Sequence, residues 1–244
     1  MAELLFRNDA YLRECAAVVT RADATCIELD RTVFYPASGG QAGDSGTFAL
    51  ADGRTLHVRD TRKGQGADDV LHLLEADALP GASIAPGTPV TATLDWPRRY
   101  RLMRLHTCMH LLCAVVPAPV TGGSITAERA HLDFDIEMEK LGKEEIESRL
   151  NALIAAGHVV EPRWISDEEL EARPQLVRTM SVKPPMGTGR VRLLEIPGVD
   201  LQPCGGTHVR STAEIGPVHV IRIRSEGRRN KRVAVALAGA CNAS

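Results

Sequence analysis

Two short motifs, far apart in the chain, restrict how this sequence folds. His106 and His110 lie in a stretch in which Leu102, Leu105 and Leu112 recur at helical spacing, which predicts an amphipathic helix. Residues four apart project from the same face of a helix. The two imidazoles are therefore positioned to bind one metal ion, although such a pair is often only part of a helix surface.

The second motif places a cysteine and a histidine on either side of a Gly-Gly pair. Two adjacent glycines disfavour a helix and favour a tight loop. Two histidines from the helix, with a cysteine and a histidine from the loop, make the nitrogen and sulfur donor set that zinc prefers in tetrahedral geometry. The alternative is a buried cysteine in a turn and an unrelated histidine. The expected Zn²⁺ ligands are His106, His110, Cys204 and His208.

Composition narrows the class of protein. The 244 residues are enough for one large domain or two modest ones, and the net charge of −2 indicates no global preference for nucleic acid. The six cysteines are too scattered for the disulfide framework of a small secreted protein. The first residues do not resemble a signal peptide, and no stretch is apolar enough to span a membrane. We therefore expect a cytoplasmic protein without membrane association; the composition specifies no oligomeric state.

The first part of the chain, residues 1–93, reads as short strands separated by turns. The predicted strand regions are 16–29, 47–58, 70–74 and 90–94, and Asp52-Gly53 is a strong hairpin signal inside the second. Short strands at regular spacing favour a small β-barrel, which carries the Gly39-Gly40 segment.

The remainder, residues 94–244, has a different pattern and predicts an α+β domain with packed helices and a mostly antiparallel sheet. Gly157 is placed to cap the second helix, and Ser166 with Glu169 fits a capping box that opens a short third helix. The expected helices are 97–115 and 143–156, and the expected extended segments are 122–135, 190–196, 217–224 and 231–237.

At the level of motifs, the chain resembles the AlaX family, the free-standing, medium-length editing proteins similar to the editing region of alanyl-tRNA synthetases. Three blocks carry the resemblance: His-Thr-Cys-Met-His-Leu-Leu at 106–112, Cys-Gly-Gly-Thr-His at 204–208, and Phe-Tyr-Pro-Ala-Ser-Gly-Gly-Gln at 34–41, with Asp44 and Gly46. The resemblance covers almost the whole chain.

The resemblance implies a zinc-dependent deacylase that acts in trans. Its substrate would be tRNA(Ala) mischarged with serine, and in some family members with glycine. Carried onto this sequence, the family's zinc ligands fall on the four residues proposed above. The implied substrate-binding residues are Gly39, Gly40, Gly205 and Gly206.

Discrimination between serine and alanine requires a polar contact, because alanine is the smaller amino acid and size exclusion cannot spare it. Thr121 and Ser124 flank a Gly-Gly pair just after the predicted helix 97–115, here called the metal helix because it carries His106 and His110. They are the hydroxyl residues expected in the catalytic pocket. The alternative is that these hydroxyls only cap a turn.

Basic residues crowd the start of the metal helix and the last predicted hairpin. Such runs are usually solvated faces, but clusters on either side of a pocket for the tRNA end are also suited to acceptor-stem phosphates. The expected tRNA contacts are Arg98, Arg99, Arg228 and Arg229.

Two classes of function remain open at this stage. Thr107 stands where a zinc protease helix carries its general base, and four protein ligands are typical of a structural zinc site. The first class is the deacylase. The second is a tRNA-binding module that zinc staples together and that has no hydrolytic activity.

Overall fold

The computed structural model describes residues 2–66, 68–75, 84–177 and 189–239. The chain forms two compact units, Met1–Tyr100 and Arg101–Ser244, whose boundary falls within helix α1 (Trp96–Val115). The strands of the first unit are β1 (Glu3–Leu4), β2 (Glu14–Ala22), β3 (Cys26–Leu29), β4 (Arg31–Thr32), β5 (Gly46–Leu50), β6 (Thr55–Lys63), β7 (Val70–Leu74) and β8 (Pro89–Leu94).

Six of these strands close into an antiparallel barrel in the order β2-β3-β7-β6-β5-β8, which confirms the predicted β-barrel. Alternate residues of each strand point inward, and they are mostly aliphatic, as in the buried set Val19, Ile27, Leu56 and Val90. The predicted Asp52-Gly53 turn joins β5 to β6, and Gly53 adopts the positive φ of +87° that this turn requires.

A polar group lies inside this apolar core. His72 is fully buried, and its Nδ1–H donates to the carbonyl of Ile27 at 2.9 Å. Its Nε2 accepts from the Thr32 hydroxyl, also at 2.9 Å. Burial lowers the pKa of His72 to about 4, against the opposing effect of the Ile27 carbonyl, so the ring is neutral at physiological pH.

Arg99 also lies in the first unit, and its position corrects the predicted tRNA contact. Its side chain is fully buried, and the guanidinium forms a forked ion pair with the buried carboxylate of Asp44. It also donates to the carbonyl oxygens of Val33 at 2.7 Å and Ala10 at 3.0 Å. Because its side chain is fully buried and bonded to Asp44 and these carbonyls, Arg99 is not accessible to a phosphate.

In its described residues, the second unit contains the rest of α1 and two antiparallel sheets. Its further elements are β9 (Val120–Ile125), β10 (Ala130–Asp135), α2 (Lys143–Ala155), β11 (Glu161–Ile165), α3 (Asp167–Glu171), β12 (Val191–Ile196), β13 (Asp200–Pro203), β14 (Val218–Ser225) and β15 (Asn230–Leu237). The sheet orders are β14-β15-β10-β9 and β11-β12-β13, so the predicted α+β class is confirmed. In the described part of the chain, no helix has both the length and the apolar character needed to cross a bilayer.

The helix predictions are confirmed closely. Gly157 follows α2 with φ of +67°, and its N–H donates to the Ile154 carbonyl, as a capping glycine does. Ser166 and Glu169 form both bonds of the predicted capping box at the start of α3. The predicted extended segment 122–135 is a hairpin of β9 and β10, whereas β11 and β13 are additional strands.

The three-stranded sheet has two different faces because side chains alternate along each strand. Val191 and Leu193 pack against Leu170 on one face. On the other face, Leu194 is paired with Gln202, and Ile196 with Asp200. Asp200 and Gln202 therefore share one face of β13, and Cys204 continues the same alternation just beyond the end of the strand.

Candidate metal centre

Four side chains from α1 and from the loop after β13 converge on one point. Their possible ligand atoms all lie within 4.8 Å of one another, and the group consists of His106, His110, Cys204 and His208. The His106 and His208 ring centroids are 4.3 Å apart, and those of His110 and His208 are 4.9 Å apart. The three histidines are buried and Cys204 is partly exposed, so the cluster lies just beneath the surface of its unit.

The spacing of the donor atoms fits a zinc ion. Zn–S and Zn–N bonds of ordinary length make a tetrahedral edge of about 3.6 Å between sulfur and nitrogen. The Cys204 Sγ lies 3.5 Å from Nε2 of His106 and 3.2 Å from Nε2 of His208. These distances, together with the mixed nitrogen and sulfur donors, match the predicted four-ligand set.

The protonation of Cys204 also suits metal binding. Burial raises the pKa of its thiol, but the adjacent imidazoles of His106 and His208 outweigh burial and hold that pKa well below its usual range. The thiolate, which is the form that binds metals, is therefore favoured. The Gly206 N–H points at the same sulfur from 3.4 Å and adds a weak donor.

His110 has an outer partner that the sequence analysis missed. Its Nδ1 lies 2.8 Å from the Asp200 Oδ2, and a carboxylate oxygen there accepts the Nδ1 proton. Burial lowers the pKa of His110, but the hydrogen bonds to Asp200 and Cys204 outweigh it and raise that pKa to about 9. The Gln202 side-chain amide donates to the same carboxylate at 2.8 Å and fixes its orientation.

His208 has a different outer partner, the hydroxyl of Thr107. Thr107 Oγ1 donates to the Met103 carbonyl at 2.9 Å, as helical threonines often do, and lies 3.2 Å from the His208 Nδ1. With its single proton committed to Met103, the hydroxyl accepts from Nδ1–H. Nε2 of both His208 and His110 is thereby the ring nitrogen available to a metal, which binds once that nitrogen has lost its proton.

Arg192 of the sheet holds the loop of residues 204–208, here called the metal loop. Its Nη1 donates to the carbonyl of Cys204 at 2.7 Å and to that of Gly206 at 3.2 Å. A guanidinium is well suited to hold two carbonyl groups at once because its donors are fixed in a planar fork. Gly205, between the two anchored residues, is exposed, and Gly206 is buried.

The predicted pocket hydroxyls lie on β9. Thr121 Oγ1 contacts the Asn230 side-chain oxygen at 2.7 Å and the Asp133 carbonyl at 3.1 Å, so this hydroxyl is already engaged. Ser124 is half-buried opposite His131 in the β9–β10 pair, and its hydroxyl has no hydrogen-bond partner within the described ranges. Their contact with serine stays a prediction.

The other predicted sites are found in varied surroundings. Arg98 donates to the Gly43 carbonyl, Arg229 pairs with Asp135 at 2.8 Å, and Arg228 is exposed. Gly39 and Gly40 are exposed with φ of +56° and +82°, a backbone conformation that favours glycine.

Two segments of the chain match models of known protein families. Residues 191–234 match the family model described as the Threonyl and Alanyl tRNA synthetase second additional domain, and residues 7–98 match tRNA synthetases class II (A). These matches cover most of the barrel unit and the strands around the metal loop. Both models describe parts of aminoacyl-tRNA synthetases.

Full-length relatives narrow the class further. The chain is 33% identical over 96% of its length to the alanyl-tRNA editing protein AlaX-M of Saccharolobus solfataricus, of which it covers 98%. It is 35% identical to the AlaX-M protein of Methanosarcina barkeri, with the same coverage. It is also 35% identical to an alanine–tRNA ligase of Metallosphaera sedula, but covers only 24% of that enzyme. The chain belongs to the AlaX-M family of alanyl-tRNA editing proteins.

Proposed function

We propose that this protein is a trans-editing deacylase that hydrolyses the ester bond of tRNA(Ala) mischarged with serine, and also with glycine. The observation that carries the proposal is the convergence of four metal-ligand atoms within 4.8 Å in a member of an editing family. The curated AlaX-M relatives are named as alanyl-tRNA editing proteins, and this chain covers nearly their whole length. An ester is already labile, so the enzyme has a smaller barrier to lower than an amidase.

Zn²⁺ is the metal we propose for this site, held by His106, His110, Cys204 and His208. When bound, it would supply Lewis-acid polarisation of the ester carbonyl or, if all four protein ligands stay bound, only a positive charge that orients the substrate. The protein positions the donor atoms: Asp200 holds the Nδ1 proton of His110, and Thr107 accepts that of His208. Arg192 fixes the loop that carries Cys204. Gly39, Gly40, Gly205 and Gly206 remain the proposed substrate-binding segments.

The second candidate function is a module whose fold is stabilised by the metal and that binds tRNA without hydrolysing it. The observation that favours it is the complete set of four protein ligands, which is typical of structural zinc. The zinc-loaded protein should be mixed with seryl-tRNA(Ala), and release of serine should be followed by acid precipitation of the tRNA. Rapid release supports the deacylase; tight binding without release supports the module and refutes the deacylase.

The ligand assignment has its own test. Purified protein should carry about one zinc per chain by elemental analysis. Cys204→Ala and His110→Ala should lower this content, whereas Cys15→Ser, a half-buried cysteine of the barrel, should leave it unchanged. Full zinc content in both ligand variants would refute the assignment.

Serine selectivity is the finer part of the proposal. We infer that Ser124 and Thr121 contribute the polar contact to the serine hydroxyl. Replacing them with Ala and Val should slow seryl-tRNA hydrolysis while slow alanyl-tRNA hydrolysis stays nearly constant, so the ratio of the two rates falls. Thr126→Val, in the β9–β10 turn, is the matched control. An unchanged ratio would exclude both residues.

The remaining basic residues are proposed to contact tRNA phosphates. Alanine at Arg98, Arg228 and Arg229 should weaken tRNA binding and reduce its salt dependence, while cleavage of a short seryl-adenosine ester is retained. Equal losses on both substrates would show damage to the fold instead.

A further inference from the structure

A row of three residues links the edge of the three-stranded sheet to the metal loop. Trp164 of β11 is paired directly with Arg192 of β12. On the far side of Arg192, the Cys204 N–H donates to the Arg192 carbonyl at 3.1 Å, which continues the pairing beyond the end of β13. Because neighbouring strands are about 4.8 Å apart, the Trp164 backbone lies about 10 Å from that of the cysteine ligand.

The three side chains share one face of the sheet. Paired residues in an antiparallel ladder point the same way, so Trp164 and Arg192 lie together. Arg192 reaches the carbonyls of the metal loop, and Asp200 and Gln202, which contact His110, are on this same face. The indole of Trp164 thus occupies the outer end of the face that builds the metal centre.

Trp164 is exposed although its side chain is large and apolar. It retains 44% of its accessible surface, on an edge strand. The Arg190 guanidinium lies 4.6 Å from the centre of the indole ring, which adds a positive charge beside the aromatic surface. Exposed aromatic rings next to cationic side chains are the usual elements of sites that stack nucleobases and hold their phosphates.

We propose that the Trp164 indole is the stacking platform for the terminal adenine of the aminoacyl-tRNA substrate. This inference rests on the proposed function, because it places the ester at the metal centre. Every tRNA ends in adenosine, and the ribose that carries the aminoacyl ester also carries the adenine. Only one ribose therefore separates the adenine from the ester, so a base site within about 10 Å of the cysteine ligand, where Trp164 lies, is within reach of the substrate.

A fluorescence titration tests base binding independently of catalysis. The chain has two tryptophans, so the zinc-loaded Trp96→Phe variant retains Trp164 as its sole indole. AMP should quench this fluorescence in a saturable manner, and ribose 5-phosphate, which lacks the base, should not. No quenching by AMP, or equal quenching by both compounds, would overturn the proposal.

Kinetics provide the second test. Trp164→Ala should raise the KM for seryl-tRNA about tenfold, since stacking on one base has that order of value, and Trp164→Phe should recover most of the loss. Zinc content and the hydrolysis of a seryl ester of ribose without a base should not change. The control is Val159→Ala, another exposed apolar residue of the same unit, with 53% of its surface accessible.

The outcomes separate the two proposals. Equal losses on the substrates with and without the base would overturn the stacking site and leave the deacylase intact. If the wild-type protein hydrolyses neither substrate, the deacylase fails, and the AMP titration still decides the stacking site. A change in oligomeric state caused by Trp164→Ala, without AMP quenching, would identify a protein contact and overturn the inference.

Discussion

The Nδ1 atom of His110 lies 2.8 Å from a carboxylate oxygen of Asp200, ninety residues later in the chain. A carboxylate behind a ligand histidine fixes the orientation and tautomer of the ring and raises its basicity as a ligand. Gln202 in turn donates to Asp200, so the ligand, the acid and the amide form a connected group. The orientation of a proposed metal ligand therefore depends on residues that lie outside the four-residue ligand group.

Asp200→Asn should lower the zinc affinity of the protein about 10- to 100-fold, because the amide keeps the shape of the carboxylate but loses its charge. Competition with a chromogenic chelator measures this affinity. Glu195→Gln is the matched control, since Glu195 lies in the adjacent strand of the same sheet and pairs with Arg163. Equal affinities for Asp200→Asn and the wild type would show that Asp200 has no influence on the ligand.

Thr107→Val should also weaken zinc binding, by a smaller factor than Asp200→Asn, because His208 loses a neutral acceptor rather than a charged one. Thr107→Ser keeps the hydroxyl and should restore the affinity. The same chelator competition distinguishes them. If the Thr107→Ser and Thr107→Val variants lose the same zinc affinity, the loss comes from packing in the helix and not from the hydrogen bond.

Arg99→Ala should destabilise the barrel unit by about 3–5 kcal/mol, since it leaves the buried Asp44 carboxylate without its charge partner. Urea unfolding followed by Trp96 fluorescence in a Trp164→Phe background measures this, because Trp96 belongs to the barrel unit. Arg62→Ala, which breaks an exposed pair with Asp60, should cost less than about 1 kcal/mol. Comparable costs for the two variants would contradict the structural role of Arg99.

His72 makes the barrel sensitive to acid. Its pKa is about 4 in the folded protein and near the ordinary 6.5 when the chain is unfolded, so the unfolded chain binds the proton more readily. Its contribution is complete above pH 6.5 and is lost as the pH falls toward 4, by at most about 3 kcal/mol. The free energy of unfolding against pH should be flatter over this window in His72→Gln. A parallel curve for the variant would show that another group causes the acid sensitivity.

Much of this fold is present in local sequence signals. The strand alternation, the Asp52-Gly53 turn and the Ser166–Glu169 box act over a few residues, and each is formed as expected. The four candidate metal ligands could also be predicted from the sequence, because helical spacing and a Gly-Gly loop determine where their donor atoms point.

The features that the sequence did not reveal depend on contacts between distant residues. The sequence does not distinguish Arg99 from a surface arginine, because its burial depends on contacts with Asp44 and Val33, which are distant in the chain. Strand β13 is only four residues long, too short for a clear pattern, and Asp200 was missed with it. One signal was available: positions two and four before Cys204 share its side of an extended strand. Trp164 gave no signal, because its pairing with Arg192 is set by the register of the sheet.

The alternation of Asp200, Gln202 and Cys204 has a consequence for changes in chain length. A strand turns each successive side chain to the opposite side, so removal or addition of one residue between Gln202 and Cys204 would turn the thiol away from the histidines. Substitution of the intervening Pro203, by contrast, leaves the order of sides unchanged. We therefore expect position 203 to accept many replacements, but the segment from Asp200 to Cys204 to accept almost no insertions or deletions. The fixed length of this segment sets the distance between the Asp200 carboxylate, which supports His110, and the Cys204 sulfur, which is itself a proposed ligand.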